Sequence, residues 1–77
     1  MNKDIRKKVD KAIGIIEQQK RVIEFIKDNE EIALENTPEN FINGVRYTSR
    51  ERAIESLDCA VNLIEEALDN MKEAVVV

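Results

Sequence analysis

The 77-residue chain has no histidine and no tryptophan, a single cysteine (Cys59), a single proline (Pro38), two glycines and only three aromatic rings. Without histidine the commonest general base is missing, and with it every Ser-His or Cys-His nucleophile pair. The Glu-x-x-His pairs of di-iron bundles cannot be built either. One thiol rules out an intrachain disulfide and, with no imidazole, leaves too few ligands for a zinc site. The chain therefore reads as non-enzymatic, with no metal and no cofactor. No apolar run approaches the roughly 20 residues that span a bilayer. No charged-then-apolar leader opens the sequence, and a lone cysteine suits a reducing compartment, so a cytoplasmic protein with no membrane partner is expected. A strong excess of base is lacking too. The 12 basic residues face 16 acidic ones, which argues against a nucleic-acid partner, since such domains are usually strongly basic.

What is present is helical material, in which alanine, leucine, isoleucine, glutamate and lysine dominate. In the second half Ile54, Leu57, Val61, Ile64, Leu68, Met71 and Val75 alternate steps of three and four, the seam one partner helix requires. Beside it Ala53, Ala60, Ala67 and Ala74 recur at every seventh residue, a smooth flank that a second helix can approach closely. In the first half Ile5, Val9, Ala12, Ile16, Ile23, Ile26 and Ala33 keep a similar rhythm, interrupted by Gln19 and Glu30, while Ile13, Ile15 and Val22 widen the stripe. Phe25 and Ile32 fall seven apart on nearly the opposite face. The expected fold is all-α: one helical-hairpin domain, with a helix over about 4–35, a connection over 36–48 and a helix over about 49–75. So short a chain buries only roughly 60–65% of its unfolded surface. With disulfide and metal excluded, assembly into a homo-oligomeric helical bundle is the expected source of further stability. Ala74–Val77 is expected to form a frayed last turn on that bundle.

Local signals refine this picture. Thr37 before Pro38 reads as an N-cap with proline at the first helical position, Asn43-Gly44 as a stop, and Phe41 and Ile42 as pointing inward from a short turn between them. Thr48-Ser49-Arg50-Glu51 fits a capping box opening the second helix. Gly14 either marks a close crossing or is a tolerated defect costing about 1 kcal/mol. Each helix opens basic and turns acidic, so antiparallel packing sets each basic end beside an acidic one. On that basis the opening bases, Lys3 to Lys11, are expected to be neutralised by the second helix. The carboxylates recurring at sevens, among them Glu17, Glu24, Asp58 and Glu65, are expected on a solvated outer face.

The connection is longer than the 2–8 residues that joined helices usually take and gathers the candidate ligand-binding residues Asn36, Asn40, Phe41, Arg46, Tyr47 and Arg50. Arginine offers a planar fork for phosphate, the amides read polar edges, and Phe41 or Tyr47 can stack on a base. Backbone N–H groups at the start of the second helix suit an anion. The plainer reading is that the Asn and Thr side chains cap and turn, while Arg46 and Arg50 pair with Glu35 and Glu31.

The run Ala33-Leu34-Glu35-Asn36-Thr37-Pro38-Glu39-Asn40, then Arg46-Tyr47 and a heptad helix with Ala53-Ile54, Leu57 and Ile64-Glu65-Glu66-Ala67, resembles a group of small helical hairpins encoded by phages and mobile elements of Firmicutes-type bacteria. There an N-L-P-E-N-L turn precedes an S-x-R-Y/G element. The likeness covers roughly residues 28–75, with Thr37 where leucine is usual. It implies a viral or mobile-element accessory protein acting in the host cytoplasm, a class that often includes inhibitors of bacterial immunity. The expected function is accordingly an anti-defence sponge: a homo-oligomer whose pockets sequester a small nucleotide signal, such as a cyclic nucleotide. The alternative is a protein–protein inhibitor or structural module that binds a host protein.

Overall fold

Two long helices packed against each other account for nearly the whole chain. The computed structural model describes residues 1–76; Val77, the end of the expected last turn, lies outside them. Helix α1 spans Lys3–Glu35 and helix α2 Val45–Val76, joined through a single 3-10 turn at Glu39–Phe41. Among the described residues there is no strand, and no helix is long and apolar enough to cross a membrane. The Asn2 side chain begins α1 by accepting from the Ile5 N–H at 2.9 Å, an N-cap that satisfies one of the donors every helix start leaves over. Four ion pairs between the helices, Lys72–Glu17, Lys20–Glu65, Lys27–Asp58 and Arg50–Glu30, step up one helix as they step down the other. The helices are therefore antiparallel.

The α2 seam is as expected: Val61 and Leu68 are buried, and Ile54, Leu57, Ile64, Met71 and Val75 are half-buried. The α1 seam differs. A line of its half-buried and buried positions, Val9, Ile13, Ile16, Lys20, Ile23, Lys27, Glu30 and Leu34, alternates fours and threes without a break, with Ala12, Glu17, Glu24, Glu31 and Ala33 half-buried beside it. Ile26, expected in the seam, is exposed, and so are Ile5, Ile15 and Val22. Lysine can occupy a seam because its methylene stem packs while its ammonium reaches a rim carboxylate. Lys20 Nζ donates to Glu65 at 3.3 Å and Lys27 Nζ to Asp58 at 3.0 Å. Of the sevenfold carboxylates, Glu24, Glu31, Asp58 and Glu65 flank the seam and pair with its lysines while their side chains stay substantially exposed, and Asp10 and Glu51 are solvated with no ion pair among the described residues. Among the described residues only Ile13, Val61 and Leu68 are buried.

The cap expectations need correction at both threonines. Helix α2 starts at Val45, four residues before the expected start, because the Thr48 hydroxyl does not cap. It donates back to the Gly44 carbonyl at 3.3 Å, from inside the first turn. Thr37 likewise donates to the Ala33 carbonyl at 3.1 Å, the back-bonding habit of a helical threonine, and Pro38 precedes the 3-10 turn with no side-chain cap. Phe41 and Ile42 do not point inward; Phe41 is 59% exposed. Asn43-Gly44 is not a left-handed stop, since no described residue has positive φ. A Cβ on Gly44 would meet the Phe41 carbonyl at 3.2 Å, so close backbone approach explains the glycine. Nothing lies within 4 Å of a Cβ added to Gly14, which excludes the close crossing.

Two measurements check this packing. In thermal or urea melts followed by circular dichroism, Leu68→Ala is expected to cost about 2–5 kcal/mol, whereas Gly14→Ala is expected to gain up to about 1 kcal/mol. The Lys27 ammonium is held above the usual lysine range, first by its hydrogen bond to Asp58 and further by the charges of Asp58, Glu31 and Asp28, with desolvation opposing them. A raised folded-state pKa means stability that is present below the unfolded value and lost as pH rises through the folded one. Stability should therefore fall as pH rises through and above the ordinary lysine range, and Lys27→Met should flatten that fall; an unchanged slope counts against the pair.

Candidate groove at the helix connection

The early start of α2 shortens the connection to residues 36–44 and converts residues 45–48 into helix. That first turn stands over the 3-10 turn and the end of α1, and the space between them is an open groove of about 870 Å³. Glu30 and Thr37 line it from the α1 side, Pro38 and Phe41 from the connection, and Val45, Arg46, Tyr47, Ser49 and Arg50 from α2. Its surface is mostly apolar, supplied by Pro38, Phe41, Val45 and the Tyr47 ring. Backbone bonds fix the frame: Phe41 N–H donates to the Pro38 carbonyl at 2.9 Å, Gly44 N–H to Phe41 at 3.1 Å, and Thr48 N–H to Gly44 at 3.2 Å.

Of the six residues singled out in the sequence, four line this groove: Phe41, Arg46, Tyr47 and Arg50. Asn36 and Asn40 do not. Asn36 ends α1, its N–H donating to the Ile32 carbonyl at 3.0 Å, and Asn40 sits exposed in the middle of the 3-10 turn. Arg50 Nε donates to Glu30 Oε2 at 2.9 Å, not to Glu31. Arg46 has no ion pair among the described residues, so its expected pairing with Glu35 is absent. Glu30 was missed as a groove residue, yet a signal for it existed. Glu30 lies seven beyond Ile23 and Arg50 seven before Leu57, so both occupy seam positions and face each other at the open end. Val45 was missed because the helix start was placed too late.

Chemically, the groove offers a charged fork in Arg46, a second guanidinium held at one edge by Glu30, and two rings for a flat apolar surface. Among the described residues no cluster of acids, cysteine or histidine is arranged to hold a metal ion, and Cys59 is exposed elsewhere on α2. Comparison with protein-family models, with curated proteins and with solved structures finds no match in any of the three.

Glu30 is a built-in competitor for any anion that approaches Arg50. Glu30→Gln is expected to tighten binding of inorganic pyrophosphate several-fold by calorimetry. It should change stability by less than about 1 kcal/mol, because the pair is substantially exposed. Unchanged or weaker pyrophosphate binding would show that Arg50 does not serve the groove.

Proposed function

We propose that this chain is a non-enzymatic binding protein whose groove captures a small nucleotide. In the fuller reading it is a phage or mobile-element accessory protein that acts in a homo-oligomer to sequester a nucleotide signal of bacterial immunity. One observation carries the ligand class: two guanidinium groups and two aromatic rings line the same mostly apolar groove. Arginine binds phosphate through a planar, charge-assisted fork, and an aromatic face accepts a base by stacking. The resemblance of the connection to phage-encoded hairpins supports the cellular role. The alternative, a protein–protein inhibitor, draws support from Phe25 and Ile32, which stand exposed seven residues apart on the outer side of α1.

Titration calorimetry against cyclic dinucleotides, cyclic trinucleotides and cyclic ADP-ribose isomers tests the reading. One class is expected to bind with micromolar or tighter affinity, with Arg46→Ala and Arg50→Ala each weakening it tenfold or more at unchanged helicity. Absence of heat with every ligand removes the nucleotide reading. Stoichiometric retention of one host protein, abolished by Phe25→Glu, would install the inhibitor in its place.

A further inference from the structure

The seam register divides the hairpin into two unlike sides. Glu17 follows seam residue Ile16 and Lys72 follows Met71, and the two are bonded at 3.4 Å. Residues one position after the seam therefore share one side of the hairpin, which is charged. Residues one position before the seam share the other side. On α1 these include Ile15, Val22 and Ile26, all exposed. On α2 they are Ala53, Ser56, Ala60, Leu63, Ala67, Asn70 and Ala74, with Leu63 at 64% exposed. Over residues 12–33 of α1 and 53–74 of α2 this side is thus uncharged and mostly apolar, interrupted by Gln19, Asn29, Ser56 and Asn70, with bulkier side chains on α1 and mainly alanine on α2.

We infer that this side is the pairing surface for a second copy of the same chain, related by a two-fold axis along the hairpin's length. Area is the first ground. The chain exposes 6071 Å², whereas a globular monomer of its mass keeps about 4,800 Å². A four-helix dimer would keep about 8,000 Å² in all, so that pairing removes up to about 4,000 Å² from water. This falls in the range of obligate homodimers, about 2,000–5,000 Å². Shape is the second ground. A lengthwise axis lays each α1 on the partner's α2, bulky side chains against alanines, whereas a crosswise axis would lay α1 on α1 and leave alanine facing alanine. Charge is the third. Lys8 and Lys11 border the surface and make no ion pair among the described residues, so the expected neutralisation within the hairpin is not seen. With both connections at one end, these lysines lie beside the partner's α2 terminus, which carries Glu73. Arg46 and Ser49 of the groove also precede seam positions, so the two grooves open toward each other at that end. The pairing itself stands whether or not the groove binds a nucleotide.

Sedimentation equilibrium of the full chain tests it. Twice the 8.9 kDa chain mass, or an even multiple, is expected at micromolar concentration. A single-chain mass, or an odd multiple, overturns the inference. Ala60→Glu should halve the mass, whereas Asn62→Glu, on the charged side, should leave it unchanged; equal effects of the two also overturn it. The axis is read by spin-labelling Asn43→Cys in a Cys59→Ser background. The label-to-label distance should be far shorter than the 59 Å length of the hairpin, and a distance comparable to that length refutes the lengthwise arrangement.

Discussion

Everything in this molecule hangs on one antiparallel seam. There is no second layer, disulfide or metal cluster among the described residues to share the load. The hairpin measures 59 × 15 × 13 Å, with a radius of gyration of 17.5 Å against about 11.5 Å for a compact domain of this length. A rod of two helices is nearly all surface, and its interior amounts to Ile13, Val61 and Leu68. Hydrophobic burial along such a seam holds the helices together but says little about register, because one heptad resembles the next. Lys20 and Lys27 supply what is missing. Each occupies a seam position and pairs with a carboxylate on α2, and Glu17 pairs with Lys72 further along. Shifting the hairpin by a heptad would set Glu17 against Glu65 in one direction and Lys20 against Lys72 in the other, like-charge contacts that the observed alignment avoids. Part of the cohesion of a purely aliphatic seam is exchanged for a defined alignment.

That exchange also explains which parts of the fold were legible in the sequence. The α2 seam is aliphatic throughout, so periodicity alone located it. On α1 the same periodicity misled. Ile26 was placed in the seam because it is apolar, while its neighbour Lys27 occupies the seam because Asp58 lies opposite. A one-chain periodicity cannot see a partner's carboxylate, so it follows the greasier of two adjacent stripes. The threonines failed for a related reason. Thr37 and Thr48 have the composition of caps, but a hydroxyl can donate to the carbonyl four residues back as readily as accept from an N–H ahead. Side-chain identity does not distinguish the two.

The groove was half legible. Arg46, Tyr47, Arg50 and Phe41 were gathered by proximity in sequence, which suffices where a connection folds back on itself. Asn36 and Asn40 were gathered by the same rule but do not line it, since the helix end and the 3-10 turn hold them elsewhere. Glu30 is distant in sequence and enters through the antiparallel pairing alone. The groove is thus a product of the seam: the last ion pair between the helices is Arg50 with Glu30, a polar contact near their open end. Beyond it only Leu34 and Tyr47 continue the seam, both half-buried, and Phe41 stays exposed.

The same register links the groove to the unpartnered side. Tyr47 and Arg50 continue the seam of α2, and Arg46 and Ser49 continue the stripe of Ala53 and Ala60, one position earlier in each repeat. A helix with two apolar stripes about 100° apart serves two neighbours, and here the second stripe runs straight into one wall of the groove. Whatever covers that stripe therefore also borders the groove. If the cover is a second copy, Arg46 is presented twice about one axis, and a ligand with its own two-fold symmetry and two phosphates would meet matched charges. If the stripe stayed bare, the groove would remain a shallow, open surface with one guanidinium already engaged by Glu30, poorly equipped to hold a small anion against water. The physical case for a binding function is consequently strongest in the paired state. Occupancy of the groove and coverage of the alanine-lined side then become thermodynamically linked, since a ligand touching both copies favours their association by its binding free energy.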